Sequence, residues 1–291
     1  MVTARAERAP DSATAHQLLP GYPAPRHWRR VPVTGQHYVA VGSGPPVLFL
    51  HGNPSWSYVW RGLLRQLAPH ARCVAPDLPG FGLSRQLRPA DGVPDPYEAQ
   101  LEALEGLYRH LVRDEGLPER GWTFVLHDWG GPLGTAWALR NPGVVARMAV
   151  CNTVAFPFPD GFRLPFYLRC LRDHRPVAEL VHATNAFARI AVRAGVRRPL
   201  LPAERRAFLR PTARRAERRA VADAVRAIPA GPPTPRGGCS NPQGREPDWR
   251  TCPCLSDGAC AIPSSPRTWR RSGRAGIRTP PSTASPTPGT S

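Results

Sequence analysis

The sequence contains no lysine: all 39 basic side chains are arginine, and with 21 acidic residues the formal net charge is +18. Exclusive use of one cationic residue points to GC-rich coding rather than to a nucleic-acid surface. The arginines are spread along the chain and are not interleaved with aromatics at one place. Nucleic acid is therefore not an expected partner, and a non-enzymatic polyanion binder is kept as the reading from another class. No apolar run is long enough to span a bilayer, and the N-terminus lacks a signal-peptide apolar segment. A cytoplasmic protein with no membrane partner is expected. The seven cysteines are Cys73, Cys151, Cys170, Cys239, Cys252, Cys254 and Cys260. They form no paired C-x-x-C pattern, so no metal site is expected. Nine histidines are present and the last is His182. Aliphatic residues fail in the C-terminal fifth: from Ala230 to Ser291, Leu255, Ile262 and Ile277 are the only Leu, Ile, Val or Phe. Such a stretch cannot bury a core of its own.

The stretch with most chemical content is Trp122-Thr-Phe-Val-Leu-His-Asp128-Trp-Gly-Gly131. Trp122 to Leu126 is aromatic, β-branched and aliphatic, and reads as a buried strand. Gly130 and Gly131 allow a tight turn. Leu133 to Arg140 reads as a helix that stops before Asn141-Pro142. A strand, a sharp turn and a helix with a reactive side chain at the apex is a nucleophile elbow, here with Asp128 at the apex. A carboxylate nucleophile forms an ester by displacing a leaving group or opening a strained ring, and water then cleaves the ester. Taken alone, Asp128 also fits a strand-end cap of the following helix.

Upstream, residues 1–26 read as a loose arm rich in Ala, Arg and Pro. His27 to Val33 and His37 to Val41 read as a hairpin around Thr34-Gly35. Pro46 to Leu50 is an apolar strand running into His51-Gly-Asn53-Pro-Ser-Trp-Ser-Tyr-Val-Trp-Arg61, and Trp60 to Leu67 starts a helix. Cys73 begins a strand that ends in a glycine-rich turn at Ser84. Tyr97 to Arg113 carries Leu101, Leu104, Leu107 and Leu111 at helical spacing. Val145 to Val150 is a further strand. Strands alternating with helices predict an α/β fold, a mostly parallel sheet covered on both faces. Leu164–Leu171, Ala178–Ala194 and Pro202–Ile228 read as helices of an inserted lid, so that core (27–156), lid (157–228) and Pro/Arg-rich tail (229–291) follow one another.

The segments His51–Arg61, Ala75–Ser84 and Phe124–Ala138 resemble haloalkane dehalogenases and the related epoxide hydrolases of the α/β-hydrolase fold. The resemblance covers roughly residues 28 to 229. It implies that Asp128 is the nucleophile, and that Asn53 and Trp129 hold the leaving group through amide and indole N–H donors. Preorganised donors of that kind are worth about 10²–10³ in rate each. The bland alternatives are a core aromatic for Trp129 and a turn residue for Asn53. His51 and His127 are read as structural. The lid segments resemble the β-lactone decarboxylase branch (cis-3-alkyl-4-acyloxetan-2-one type), which opens a four-membered lactone with loss of carbon dioxide. The implied substrate is a small hydrophobic haloalkane, epoxide or β-lactone, and no cofactor is implied.

Two parts of that machinery are missing. The family uses a His base, oriented by a carboxylate, on loops after the last strands, but no His follows the lid. The alternative acid position after Val145–Val150 holds Cys151-Asn-Thr-Val. The tail suggests a reason. Read one frame along, the codons of Asp257 to Ile262 permit Trp-Gly-Met-Arg-Asp, and those of Pro286 to Ser291 permit Asp-Ala-Gly-His-Phe. These resemble the family's acid and His loops in the right order. A frameshift is expected to have replaced the last core strands by a tail with no regular strand or amphipathic helix, leaving Val145–Val150 as an uncovered edge. The nucleotide sequence over codons 225–291 tests this: a shifted frame encoding neither motif would make the tail genuine.

Overall fold

The computed structural model describes residues 19–85, 95–153, 163–228 and 259–260. The expectations for residues 1–18, for the lid entry at 154–162 and for nearly all of the tail lie outside them.

The apolar runs form the strands the sequence predicts. These are β1 (Trp28–Arg30), β2 (His37–Val41), β3 (Pro46–Leu50), β4 (Arg72–Pro76), β5 (Trp122–His127) and β6 (Val145–Cys151). With β7 (Ala259–Cys260) they make one sheet in the order β1-β2-β4-β3-β5-β6-β7. β3 pairs in parallel with β4 and β5, and β5 with β6, while β1 and β2 run antiparallel at one end. The chain leaves β3 through α1 (Arg61–Leu67) to β4 on one side, then crosses by α2 (Pro96–Arg113) to β5 on the other. That reversal makes the carboxyl ends of β3 and β5 a topological switch point, where such sheets bind ligands.

Buried strands β2 and β3 have no exposed residue, as continuous apolar strands covered on both faces require. α2 begins at Pro96 with the Asp95 carboxylate capping the Tyr97 N–H. Its Leu101, Leu104, Leu107 and Leu111 are buried against Trp122, Phe124 and Trp137 in one core cluster. α3 (Gly130–Arg140) starts at the first glycine, three residues before the expected Leu133. The Arg140 guanidinium donates two hydrogen bonds, 2.9 and 2.8 Å, to Glu98 and so clamps α3 to α2.

Three differences from the sequence reading have physical causes. Residues 19–26 are not a loose arm: Leu19 and Tyr22 are buried, the Tyr22 hydroxyl meets Ser57 Oγ at 2.5 Å, and the Tyr58 hydroxyl donates to Pro20 O. Their aromatic and aliphatic bulk fills the second core cluster, beside Trp56 and Tyr58. The tail contributes a strand after all, since Ala259 and Cys260 pair antiparallel with Ala149 and Met148. Exposed edge N–H and C=O groups offer such a template, so the β6 edge is covered at those two positions. The helices expected over 178–194 and 202–228 are also each broken into shorter ones, while the expected 164–171 helix is shifted to Phe166–Asp173.

The segment expected to form the lid consists of α4 (Phe166–Asp173), α5 (Arg175–Thr184), α6 (Ala186–Ala194), α7 (Pro202–Leu209) and α8 (Arg219–Arg226), with 3-10 turns at Arg210–Thr212 and Arg215–Arg218. The expected single helix over 178–194 breaks at Asn185, which takes the left-handed φ of 58°. Its side-chain amide is buried and donates to Thr212 O and Thr212 Oγ1. Asparagine tolerates that conformation better than most residues, and the two hydrogen bonds hold it there. Arg218 closes the same corner. Its guanidinium donates to the carbonyls of Thr212, His182, Ala183 and Ala213 at 2.6–3.0 Å. No described helix is long and apolar enough to cross a membrane.

Arg218→Ala leaves these carbonyls without their charged donor, and hydrogen bonds to charged groups contribute about 1.5–3 kcal/mol. The variant is expected to lose about 2 kcal/mol in urea unfolding and to be cut sooner by protease within 175–226. An unchanged midpoint and cleavage pattern would remove the corner from the account of the lid.

Candidate active site

β5 ends at His127, and the chain turns into α3 through Asp128 at φ 48°. A non-glycine residue in that region is strained by about 1–3 kcal/mol and needs surroundings that over-determine it. Glycines let those surroundings close in. A Cβ on Gly52 would lie 2.2 Å from Asp128 Cβ, one on Gly130 2.4 Å from Leu50 O, and one on Gly131 2.0 Å from Thr153 Oγ1. The Asp128 carbonyl accepts from Gly131 N at 2.9 Å and from Thr153 Oγ1 at 2.5 Å. The carboxylate is aimed too: Asn53 N–H donates to Asp128 Oδ1 at 2.7 Å. One oxygen of Asp128 is thus fixed by the loop after β3.

The other two predicted site residues lie beside it, with their polar groups engaged by the protein. The Asn53 side-chain amide donates to Val221 O of α8 at 2.9 Å, and its Oδ1 is buried without a hydrogen-bond partner. The Trp129 indole N–H donates to Gln100 Oε1 on α2 at 2.9 Å, and the ring is edge-on to Tyr97 with centroids 5.8 Å apart. Gln100 is 3% exposed. Neither Gln100 nor Thr153 stood out in the sequence: Gln100 is one of several polar residues on α2 and the one that is buried, and Thr153 follows a strand end.

His51 and His127, read from the sequence as structural, differ in how they are held. His51 is fully buried. Its Nε2 accepts the Leu78 N–H at 2.9 Å, which places the proton on Nδ1, where Gly52 O accepts at 3.0 Å. Burial pushes its imidazole below the ordinary value, against the opposing charge of Asp77. His127 packs edge-on to Trp60, and its Nδ1 is buried without a partner.

A second buried carboxylate, Asp77, ties the loops around the site together. Its Oδ1 accepts Ser57 N–H, and its Oδ2 accepts Leu83 N–H and meets His37 Nδ1, each at 2.8 Å. Burial alone would raise this carboxyl, but the hydrogen bond and charge of His37 and the Leu83 N–H together hold it below the ordinary range. A Cβ on Gly82 would lie 2.2 Å from Asp77 Cγ, so the glycine-rich turn has its glycine where the carboxylate needs room.

Both groups have depressed folded values, so each contributes stability that is present above its unfolded value and lost as pH falls. Acidification below about 6.5 lets the unfolded chain take up a proton that folded His51 refuses, with a limiting slope of about 1.4 kcal/mol per pH unit. The Asp77 contribution is complete above about 3.8 and disappears below it. Urea midpoints should therefore fall in two stages, and a midpoint level from pH 7 down to pH 4.5 would contradict the burial of a neutral His51.

Comparison with known proteins identifies the fold family. The alpha/beta hydrolase fold family matches residues 45–229. A cis-3-alkyl-4-alkyloxetan-2-one decarboxylase of Shewanella oneidensis is 37% identical over 198 residues, 67% of this chain and 60% of that protein. A haloalkane dehalogenase of Sphingobium indicum is 34% identical over 179 residues, 60% of this chain and 58% of its own. Among solved structures, the haloalkane dehalogenase DatA from Agrobacterium tumefaciens matches with a TM-score of 0.60 at 30% identity, covering 69% of this chain and 68% of that one. The chain therefore spans about three-fifths of the length of these curated relatives. With its sheet order, its strand–Asp128–helix elbow and a family match across core and lid, the chain belongs to the α/β-hydrolase fold family.

Proposed function

We propose that the chain uses Asp128 as a nucleophile toward a small hydrophobic electrophile of haloalkane type, forming an alkyl–enzyme ester, and that it stops there. The observation that carries the reading is the carboxylate at the elbow, with one oxygen fixed by the Asn53 N–H. A fixed carboxylate oxygen leaves the other as the attacking atom and lowers the entropy cost of attack. Displacement needs no base. Hydrolysis of the ester does, and a positioned base is worth about 10²–10⁴ in rate. No His follows His182, while His51 is committed to Leu78 and Gly52. A frameshift over 229–291 accounts for that loss.

The second reading, opening of a β-lactone, is favoured by the same missing base. Attack of Asp128 on the alkyl carbon of the lactone breaks the ring C–O bond and leaves a carboxylate β to the new ester. Loss of carbon dioxide from it forms the olefin and expels the Asp128 carboxylate. That cycle consumes no water and restores the enzyme. The decarboxylases of Shewanella oneidensis and Xanthomonas campestris, at 37% and 35% identity, support it.

Intact mass spectrometry after incubation with a 1-bromoalkane is expected to show one added alkyl group per chain, absent in Asp128→Asn. Many bromides released per chain would refute the stalled ester. Catalytic carbon dioxide and olefin from a cis-β-lactone, lost in the same variant, would select the second reading.

A further inference from the structure

We infer that Gln100 is a specificity-determining residue: by accepting the Trp129 indole N–H, it withholds that donor from a departing halide. This rests on the reading of Trp129 as a leaving-group donor. The indole N–H is the only hydrogen-bonding group that ring has. It is satisfied at 2.9 Å by an amide oxygen on a residue 3% exposed. A halide seeking that donor has to break a buried hydrogen bond and leave Gln100 Oε1 without its partner, and an orphaned buried acceptor costs about 1–3 kcal/mol.

The holding is rigid. Gln100 sits in the first turns of α2, whose start is fixed by the Asp95 cap and whose Glu98 is clamped by Arg140 from α3, the helix Trp129 leads into. Tyr97, also on α2, meets the same indole edge-on and sends its hydroxyl to Pro132 O on α3. Acceptor and donor therefore belong to two helices locked together, and no lid movement separates them. The partner donor, the Asn53 amide, is engaged differently, by a main-chain carbonyl of lid helix α8. The site thus slows, without blocking, the departure of a small free halide, which depends on point donors, and a single slow alkylation of Asp128 remains open to it. It tolerates a leaving carboxylate, which stays covalently attached to its substrate and can take Asn53 once α8 moves.

The test uses the full chain labelled with ¹⁵N, titrated with sodium bromide against sodium fluoride at constant ionic strength. Trp129→Phe assigns the Trp129 indole resonance. In the unsubstituted chain that resonance is expected to stay in place. In Gln100→Met, which keeps the volume and removes the acceptor, it is expected to shift with bromide. The penalty of displacing Gln100 corresponds to about ten- to hundredfold in affinity, so at the bromide concentration that half-saturates Gln100→Met the resonance of the unsubstituted chain stays close to its free position. Gln100→Glu, which keeps an acceptor, should behave like the unsubstituted chain. A bromide-dependent shift of Trp129 in the unsubstituted chain overturns the inference, whether or not the Met variant folds. A folded Gln100→Met with no shift overturns it as well, and assigns Gln100 to satisfying a buried indole only. Ester formation at Asp128, read separately by mass, can fail without affecting either result, so loss of the nucleophile reading and loss of the Gln100 inference are distinguishable.

Discussion

The left-handed turn at Asp128 is the constraint on which the site depends. Its φ of 48° is unfavourable for an aspartate, and it persists because three neighbouring segments leave no alternative path. Gly130 lets α3 start against the carbonyl of Leu50 at the end of β3, Gly131 lets it pass Thr153 beyond β6, and Gly52 lets the loop after β3 lie against the Asp128 side chain. A methyl group at Gly130 would collide with the Leu50 carbonyl of β3, one at Gly52 with the Asp128 side chain, and one at Gly131 with the Thr153 side chain. The same closeness brings the Asn53 N–H to the carboxylate. Strain, glycine placement and the aim of the Asp128 carboxylate are therefore one feature of the chain.

Much of this was legible in sequence because it follows from local rules. The apolar runs at Pro46–Leu50 and Trp122–Leu126 read as buried strands, and the glycines after Asp128 mark a tight turn and close packing, the second of which the structure shows at the start of α3. The sheet order needed the alternation of strands and helices, together with the family resemblance, which carries the assignments of Asp128, Asn53 and Trp129. The break at Asn185 was not legible. Helical periodicity continues across it, and the cause is a pair of hydrogen bonds to Thr212, 27 residues away. Gln100 was hidden for the same reason: its partner lies 29 residues on, across a strand. Side-chain periodicity reports which face is buried, and it is silent on which buried polar atoms meet.

Asp77 shows how the loops around the elbow are kept in register without a disulfide or metal among the described residues. One carboxylate accepts from the hairpin through His37, from the loop after β3 through Ser57, and from the glycine-rich turn through Leu83. A buried charge is tolerated only when its hydrogen bonds are made. Each of these three loops is therefore tied to the position of the other two, and the loop carrying Asn53 is among them.

A site that stabilises a leaving anion faces a general difficulty before any substrate arrives. Its N–H donors are buried, and buried donors need acceptors. Either water fills the space, or the protein supplies acceptors that the leaving group must then displace. Here the protein supplies both, from different bodies. Asn53 is held by Val221 O of α8, a helix whose Val221 and Ala224 pack on the core while it also bears on the lid helices, so displacing α8 frees the amide. Trp129 is held by Gln100 on α2, a core helix clamped to α3, so nothing short of unpacking the core frees the indole. The two N–H groups are thus held differently, one by a main-chain carbonyl of α8 and one by a side chain of α2. A leaving group that requires both together meets a barrier that a leaving group content with one does not.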